Sequence, residues 1–228
     1  MTAMVEVKKL AAAKKALEYI EDNSIIGIGT GSTVKYFIRL LGDALKSGHV
    51  KNVRGVPSSY DTRLLMLEAN IPIVDLIEYD YLDVAVDGAD SVLVKKKILI
   101  KGGGGAFLRE KILAYSSKRV IIIVDDSKID RVFPIPVEIL PFSISVVKRK
   151  IRELHGELRL RPCNGKVGPC ISDNGNIIGD AYFSNDQITP SLEVKLNSIP
   201  GILENGLFNV KCKIIIGKNK DITEEMVF

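Results

Sequence analysis

The run Val120-Ile121-Ile122-Ile123-Val124 constrains the fold most, because it offers no polar residue to turn toward water. A strand with one wet face alternates apolar and polar side chains. A run that is apolar throughout, here Val120 to Val124 of the strand read from Arg119 to Val124, belongs to a central parallel strand covered on both faces. Its surroundings agree. Ser24 to Ile28, Val53 to Val56, Ile71 to Leu76 and Leu82 to Val86 are short strand patterns. Helical spacing separates them, with Val7, Leu10, Ala13, Leu17 and Ile20 first, then Val34, Phe37, Ile38, Leu41 and Leu45 behind an N-cap at Ser32 or a neighbour. Leu64, Leu65 and Leu67 follow Pro57-Ser58-Ser59, and a helix from about Ala106 to Ser116 has Leu108, Ile112 and Tyr115 as its buried side. Strands alternating with helices predict an α/β, doubly wound, mostly parallel sheet.

The pattern changes after Asp130. Phe133 to Pro136 is a linker, Val137 to Leu140 a strand and Ser145 to Leu154 a helix. Glu157 to Arg161 and Cys170 to Tyr182, broken by the turn Asp173-Asn174-Gly175-Asn176, are antiparallel strands. A helix at about Ser191 to Ser198 and a strand before Phe208 complete a β-α-β-β-α-β order, the ferredoxin-like sequence of elements. Lys211 to Ile216 is then the last strand, returning to the large sheet. The expected division is 1–130 plus 209–228 for one domain and 131–208 for an inserted α+β domain.

Composition excludes several function classes. The net charge of +4 is spread along the chain, without the dense basic face of a nucleic-acid binder, and suits a small anionic partner. Its densest run, Lys95-Lys96-Lys97, lies between Val92–Val94 and Ile98–Ile100 and reads as the solvated tip of a hairpin. Three cysteines without a CxxC pair read as reduced thiols rather than a disulfide or metal framework. Two histidines give little material for a metal centre or a Ser-His-Asp triad. No apolar stretch reaches the roughly 18 residues of a membrane span, and the lysine-rich N-terminus lacks a signal peptide's apolar core. The expected location is the cytoplasm.

Three strand ends carry the chemistry. Gly27-Ile28-Gly29-Thr30-Gly31-Ser32-Thr33-Val34 is a strand–turn–helix junction, where glycines admit a ligand and a helix N-terminus attracts an anion. It lacks the third glycine and acidic ribose anchor of a dinucleotide loop, and it lacks the Gly-Lys-Ser/Thr of a Walker loop. Phosphate binding and a plain structural turn both fit it. Asp87-Gly88-Ala89-Asp90 sets two carboxylates at a strand's carboxyl end, where open α/β sheets bind ligands, and it equally fits an Asx turn with a helix cap. In Lys101-Gly102-Gly103-Gly104-Gly105, successive glycines forgo packing but let main-chain N–H groups face a ligand oxygen. Glu110 follows in the next helix, as a general base or as a solvated helix residue paired with Lys111 or Lys14.

Together these segments resemble the type A ribose-5-phosphate isomerase family. The resemblance runs through Gly29–Thr33, Asp87–Asp90, Lys101–Glu110, the DxSK of Asp125–Lys128, the FPxPVE of Phe133–Glu138 and the DNGN of Asp173–Asn176. It implies a Rossmann-like domain with a ferredoxin-like lid, no cofactor, no metal, and interconversion of ribose 5-phosphate with ribulose 5-phosphate. By the same resemblance, substrate contacts fall on Thr30, Gly31, Ser32, Thr33, Asp87, Gly88, Ala89, Asp90, Lys101, Gly102, Gly103, Gly104 and Lys128, and the proton acceptor on Glu110. Asp87 and Lys101 join Glu110 as catalytic groups, and Lys8 aligns with a lysine near the family's phosphate pocket. A homodimer or homotetramer, free of nucleic acid and membrane, is the implied assembly. Ser91, Gly105 and Phe107 depart from the family's pattern. A sugar-phosphate-sensing regulator and a related deaminase, lactonase or CoA-transferase-like enzyme are the rival readings.

Overall fold

The structure is a computed structural model that describes residues 2–219 and 222–228. The chain divides into two compact units, Met1–Ala89 with Arg109–Lys128 and Val210–Phe228, and Asp90–Leu108 with Ile129–Asn209. Residues 90–108 thus group with the second unit, not with the 1–130 span read from the sequence.

The larger unit begins with α1 (Thr2–Leu17), β1 (Ile25–Ile28), α2 (Ser32–Ser47), β2 (Arg54–Pro57), α3 (Tyr60–Glu68) and β3 (Leu82–Asp87). The second unit takes β4 (Ser91–Leu93) and β5 (Ile98–Ile100); α4 (Phe107–Tyr115) then leads to β6 (Ser117–Asp125) of the larger one. The rest of the second unit is β7 (Ile135–Ile139), α5 (Ile144–Glu153), β8 (Glu157–Leu160), β9 (Pro162–Cys163) and β10 (Lys166–Pro169). It continues with β11 (Ile177–Tyr182), α6 (Pro190–Asn197), β12 (Ile202–Asn205) and β13 (Leu207–Phe208). β14 (Lys213–Asn219) and β15 (Ile222–Val227) complete the larger unit.

The large sheet has the order β15-β14-β6-β3-β1-β2. Its pairs from β14 to β2 are parallel, and β15 adds an antiparallel edge that the sequence reading missed by taking the preceding strand as the last. β6 lies inside the sheet, and Val120 to Val124 are all buried, as the apolar run requires. Ile26, Ile28, Val84, Val86, Ile121, Ile123 and Ile215 form one core with Ala12, Ala13 and Ala16 of α1 and Phe37, Ile38 and Leu41 of α2. Each large side chain so buried contributes about 1.5–3 kcal/mol over leaving it exposed. On α1 Ala11, Ala12, Ala13 and Ala16 face inward and Val7 is exposed, contrary to its expected place.

Other expectations shift for local reasons. In α3 Leu64 and Leu67 are exposed, while Met66 and Thr62 are buried. Ser59 caps this helix by accepting from the Thr62 N–H at 3.1 Å, and Thr62 turns inward to donate to the Gly29 carbonyl at 2.7 Å, which fixes the helix's phase. Residues 71–76 form a single bridge, Ile73 with Gly55, and no strand. Pro72 has no N–H for a ladder, and two bonds to Gly55 are all that the segment makes there.

In the second unit β12-β7-β11-β8 form an antiparallel sheet packed around Val137, Ile139, Val147, Ile151, Leu192 and Leu196. Elements β7, α5, β8, β11, α6 and β12 reproduce the β-α-β-β-α-β order, with ferredoxin-like sheet neighbours. β4 and β5 pair as the expected hairpin, its tip a tight turn over Val94–Lys96 with Lys97 at φ 53°. One expectation is overturned: Cys163 and Cys170 form a disulfide, with Cα atoms 4.7 Å apart. The sequence shows no CxxC, but β9 and β10 pair antiparallel, Pro162 opposite Pro169, and that register folds the two cysteines onto each other.

Candidate active site

In the large sheet β2 lies on one side of β1 and β3 on the other, so the strand order reverses at β1. Open α/β sheets bind ligands at such a point, beyond the carboxyl ends of the strands. Ile28 is in register with Val86, and the turns that leave β1 and β3 there are Gly29–Thr33 and Asp87–Ala89. Asp87 is buried, its Oδ1 accepting from the Gly88 N–H at 2.7 Å and the Thr30 N–H at 3.3 Å. A Cβ on Gly29 would fall onto this carboxylate, so the glycine is required for the close approach. Thr30 turns its hydroxyl toward Ser58 and Ser59, both at 2.7 Å, and Thr62 at 3.0 Å. Sequence reasoning did not connect these three to the site; the signal was a pair of serines at the carboxyl end of the neighbouring strand.

Gly31, at φ 134°, is the N-cap of α2, and Ser32 is the first helical residue rather than the cap. No side chain caps this end, so first-turn N–H groups face outward from a helix whose dipole favours an anion. Lys9 Nζ donates to Ser32 Oγ at 2.9 Å. Lys8, the lysine picked out from the sequence, instead grips both carboxylate oxygens of Asp126 at 2.8 Å. Lys128 ends the turn that follows β6, half-buried, behind Asp125, whose Oδ1 accepts from the Ser127 N–H at 3.0 Å.

Helix α4 turns an unusual face inward. Glu110 is only 3% exposed and Lys111 6%, in company with Phe107, Leu113 and Ala114, whereas Ile112 and Tyr115 are 45% and 57% exposed. The sequence reading had those two on the buried side. The inversion has a packing reason on β1: a Cβ at Gly27 would stand 3.2 Å from Leu113 Cβ, so α4 lies close on the sheet with Leu113 inward.

The second unit holds Asp90 and the glycine turn. Asp90 Oδ2 accepts from the Gly103 N–H at 2.6 Å. Lys101 is 2% exposed, its N–H on Gly206 O at 2.9 Å and its ammonium 5.3 Å from the centre of the Phe208 ring. Gly102, at φ 106°, and Gly105, at φ 78°, adopt left-handed conformations and close the turn through Gly105 N–H to Gly102 O at 3.0 Å. Phe107 is fully buried against Gly102, and the left-handed φ of 78° at Gly105 strains any side chain there, which accounts for two departures from the family's pattern. Ser91, the third, donates its hydroxyl to Arg131 O at 2.6 Å.

The family model described as ribose 5-phosphate isomerase A (phosphoriboisomerase A) matches residues 54–221. The chain belongs to that family. Ribose-5-phosphate isomerase A of Prochlorococcus marinus is 42% identical over 219 residues, 93% of this chain and 94% of its own. The protein of that name from Thermococcus kodakarensis is 44% identical over 216 residues, again 93% and 94%. Among solved structures, ribose 5-phosphate isomerase A of Methanocaldococcus jannaschii superposes with a TM-score of 0.92 at 40% identity, over 97% of this chain and 98% of that one. A D-ribose-5-phosphate isomerase in complex with phospho-erythronic acid gives 0.92 and 40% over 99% of both. Within the larger unit, then, this member of the family gathers Thr30 to Thr33 and Asp87 to Ala89 at the reversal of strand order. Within the second it gathers Asp90 with Lys101 to Gly104.

Proposed function

We infer that this chain is an aldose–ketose isomerase interconverting D-ribose 5-phosphate and D-ribulose 5-phosphate, and that Glu110 carries the proton. One observation supports that role above the others: α4 buries a carboxylate while leaving an isoleucine and a tyrosine in water. Burying a charge is costly, and an apolar residue, Ile112, stands two positions along the same helix, so the inversion points to chemistry.

In the open-chain aldose, the Glu110 carboxylate takes the proton on C2. The electron pair forms the C1–C2 double bond, and the carbonyl oxygen on C1 becomes the enediolate oxygen. A hydroxyl proton moves between O2 and O1, and Glu110 returns its proton to C1, giving the ketose with nothing gained or lost. Lys101 and the glycine amides that Asp90 leaves free, the Gly104 N–H foremost, stabilise the developing oxyanion, a class of contact worth roughly 3–4 kcal/mol per donor. Asp87 assists opening of the furanose ring, and Asp90 and Lys128 orient hydroxyls. Ser32, Thr33 and the start of α2 hold the phosphate, with Lys9 as its cation. As written, no step draws on a cofactor or metal. We place the enzyme in the cytoplasm, as read from the sequence, and as a homodimer or homotetramer, a reading that rests on the family resemblance; among the described residues no helix is long and apolar enough to cross a membrane.

The test is a coupled assay for ribulose 5-phosphate formation with chelator present, repeated on Glu110→Gln. The wild-type chain is expected to turn over in chelator, and the variant to fold normally and lose at least about a thousandfold in kcat. Near-normal turnover by the variant would remove Glu110 from the mechanism.

A further inference from the structure

Arg161 lies just beyond β8. The register pairs Asp180 of β11 with Arg159, so Arg161 falls opposite Ile178, whose carbonyl accepts its N–H at 2.9 Å. Asp180 is then its diagonal neighbour on the same face. The guanidinium forks onto that carboxylate, Nε donating to Oδ2 at 3.0 Å and Nη2 to Oδ1. Both side chains are about 15% exposed. Nη1 points away from Asp180 and donates to the carbonyl oxygens of Gly102 at 2.8 Å and Gly103 at 3.2 Å.

Those carbonyls set the direction of two donors. A peptide unit is planar and trans, so the Gly102 carbonyl and the Gly103 N–H point opposite ways, as do the Gly103 carbonyl and the Gly104 N–H. The Gly103 N–H is taken by Asp90. The Gly104 N–H donates to no partner among the described residues, and Gly104 is exposed. Four glycines have no side chains to fix their conformation, so whatever aims the free amide must grip the backbone itself.

We propose that Arg161, held by Asp180, is the positioning residue of the oxyanion nest, clamping the Gly102 and Gly103 carbonyls so that the Gly104 N–H faces the enediolate oxygen. The proposal rests on the nest reading given above. The guanidinium charge behind the two peptides also polarises them, which strengthens the amide as a donor. A lysine at 161 keeps the charge but cannot span a carboxylate and two carbonyls at once.

The test measures kcat and KM for ribose 5-phosphate, inhibition by phospho-erythronic acid, inhibition by inorganic phosphate, and Tm. The variants are Arg161→Lys and the double variant Arg161→Leu with Asp180→Leu, which removes the pair without stranding a buried charge. Misaiming the amide is expected to lower kcat and the affinity for phospho-erythronic acid together, by roughly 10- to 100-fold. KM and inhibition by inorganic phosphate should stay within about twofold, since neither reads the oxyanion. A folded double variant with wild-type kcat and wild-type affinity for phospho-erythronic acid overturns the proposal. So does Arg161→Lys losing activity only in proportion to a fall in Tm. Glu110→Gln is run alongside. If it is inactive while the Arg161 variants are normal, this proposal alone fails; if it is active, the reading of the site fails first.

Discussion

Lys8 and Lys9 are sequence neighbours with different employment. Lys8 is neutralised by Asp126, whereas Lys9 reaches the first residue of α2, where the helix offers N–H groups and its positive end. A phosphate seated there gains a charge-assisted contact from Lys9, of the kind worth about 1.5–3 kcal/mol. Lys9→Ala is therefore expected to raise KM for ribose 5-phosphate about tenfold with kcat within about twofold, because the phosphate is held alike in ground and transition states. Lys8→Ala should leave both constants nearly unchanged, because its ammonium is engaged by Asp126. Steady-state kinetics on the two variants decides it, and the reverse pattern would restore Lys8. At Gly29 the expectation is harsher. An alanine there has Asp87's carboxylate in its place, so Gly29→Ala should lose most activity and lower Tm.

At the scale of elements, what the sequence made legible was whatever one segment decides by itself. Val120 to Val124 placed β6 inside the sheet, and the amphipathic stripe from Val34 to Leu45 placed α2. What it left illegible was decided between segments. The face α4 buries depends on Leu113 meeting Gly27, and the phase of α3 depends on Thr62 reaching Gly29 O. Neither partner is near in sequence. Asp83 is another such cross-tie: from β3 it accepts the Ile25 N–H of β1 at 2.9 Å and pairs with Lys118 of β6 at 3.0 Å. The Ile25 amide, then Lys118, hold its carboxyl below the ordinary value of 3.8, against the opposing pull of burial. A carboxyl depressed on folding contributes stability above its unfolded value, and that contribution is lost as pH falls through the lower folded one. Asp83→Asn should thus lower Tm at pH 7, with the gap to wild type closing as the pH is taken down past the ordinary value of 3.8 and through the lower folded one. A gap independent of pH in thermal melts would show that the charge is not what matters.

Over the whole molecule, the family was readable because its motifs are long and unusual, while the cysteines were not, because their pairing is a matter of strand register. The three cysteines now divide by environment. Cys163 and Cys170 are joined across β9 and β10, and Cys212, beside β14, is 3% exposed. Burial pushes the Cys212 thiol up to about 12, so at pH 8 only about one molecule in ten thousand carries the reactive thiolate. Thiol titration at that pH then has three expected readings. The native protein, isolated without reductant, should show no fast-reacting thiol; in denaturant one should appear, from Cys212; after reduction in denaturant, all three. Trapping thiols with an alkylating agent at the moment of lysis reads the pair as it stands in the cell. Three thiols in denaturant without reductant would mean that the hairpin brings the sulfurs together without joining them. A fast thiol in the native state would mean that the packing around β14 opens far more often than its burial implies.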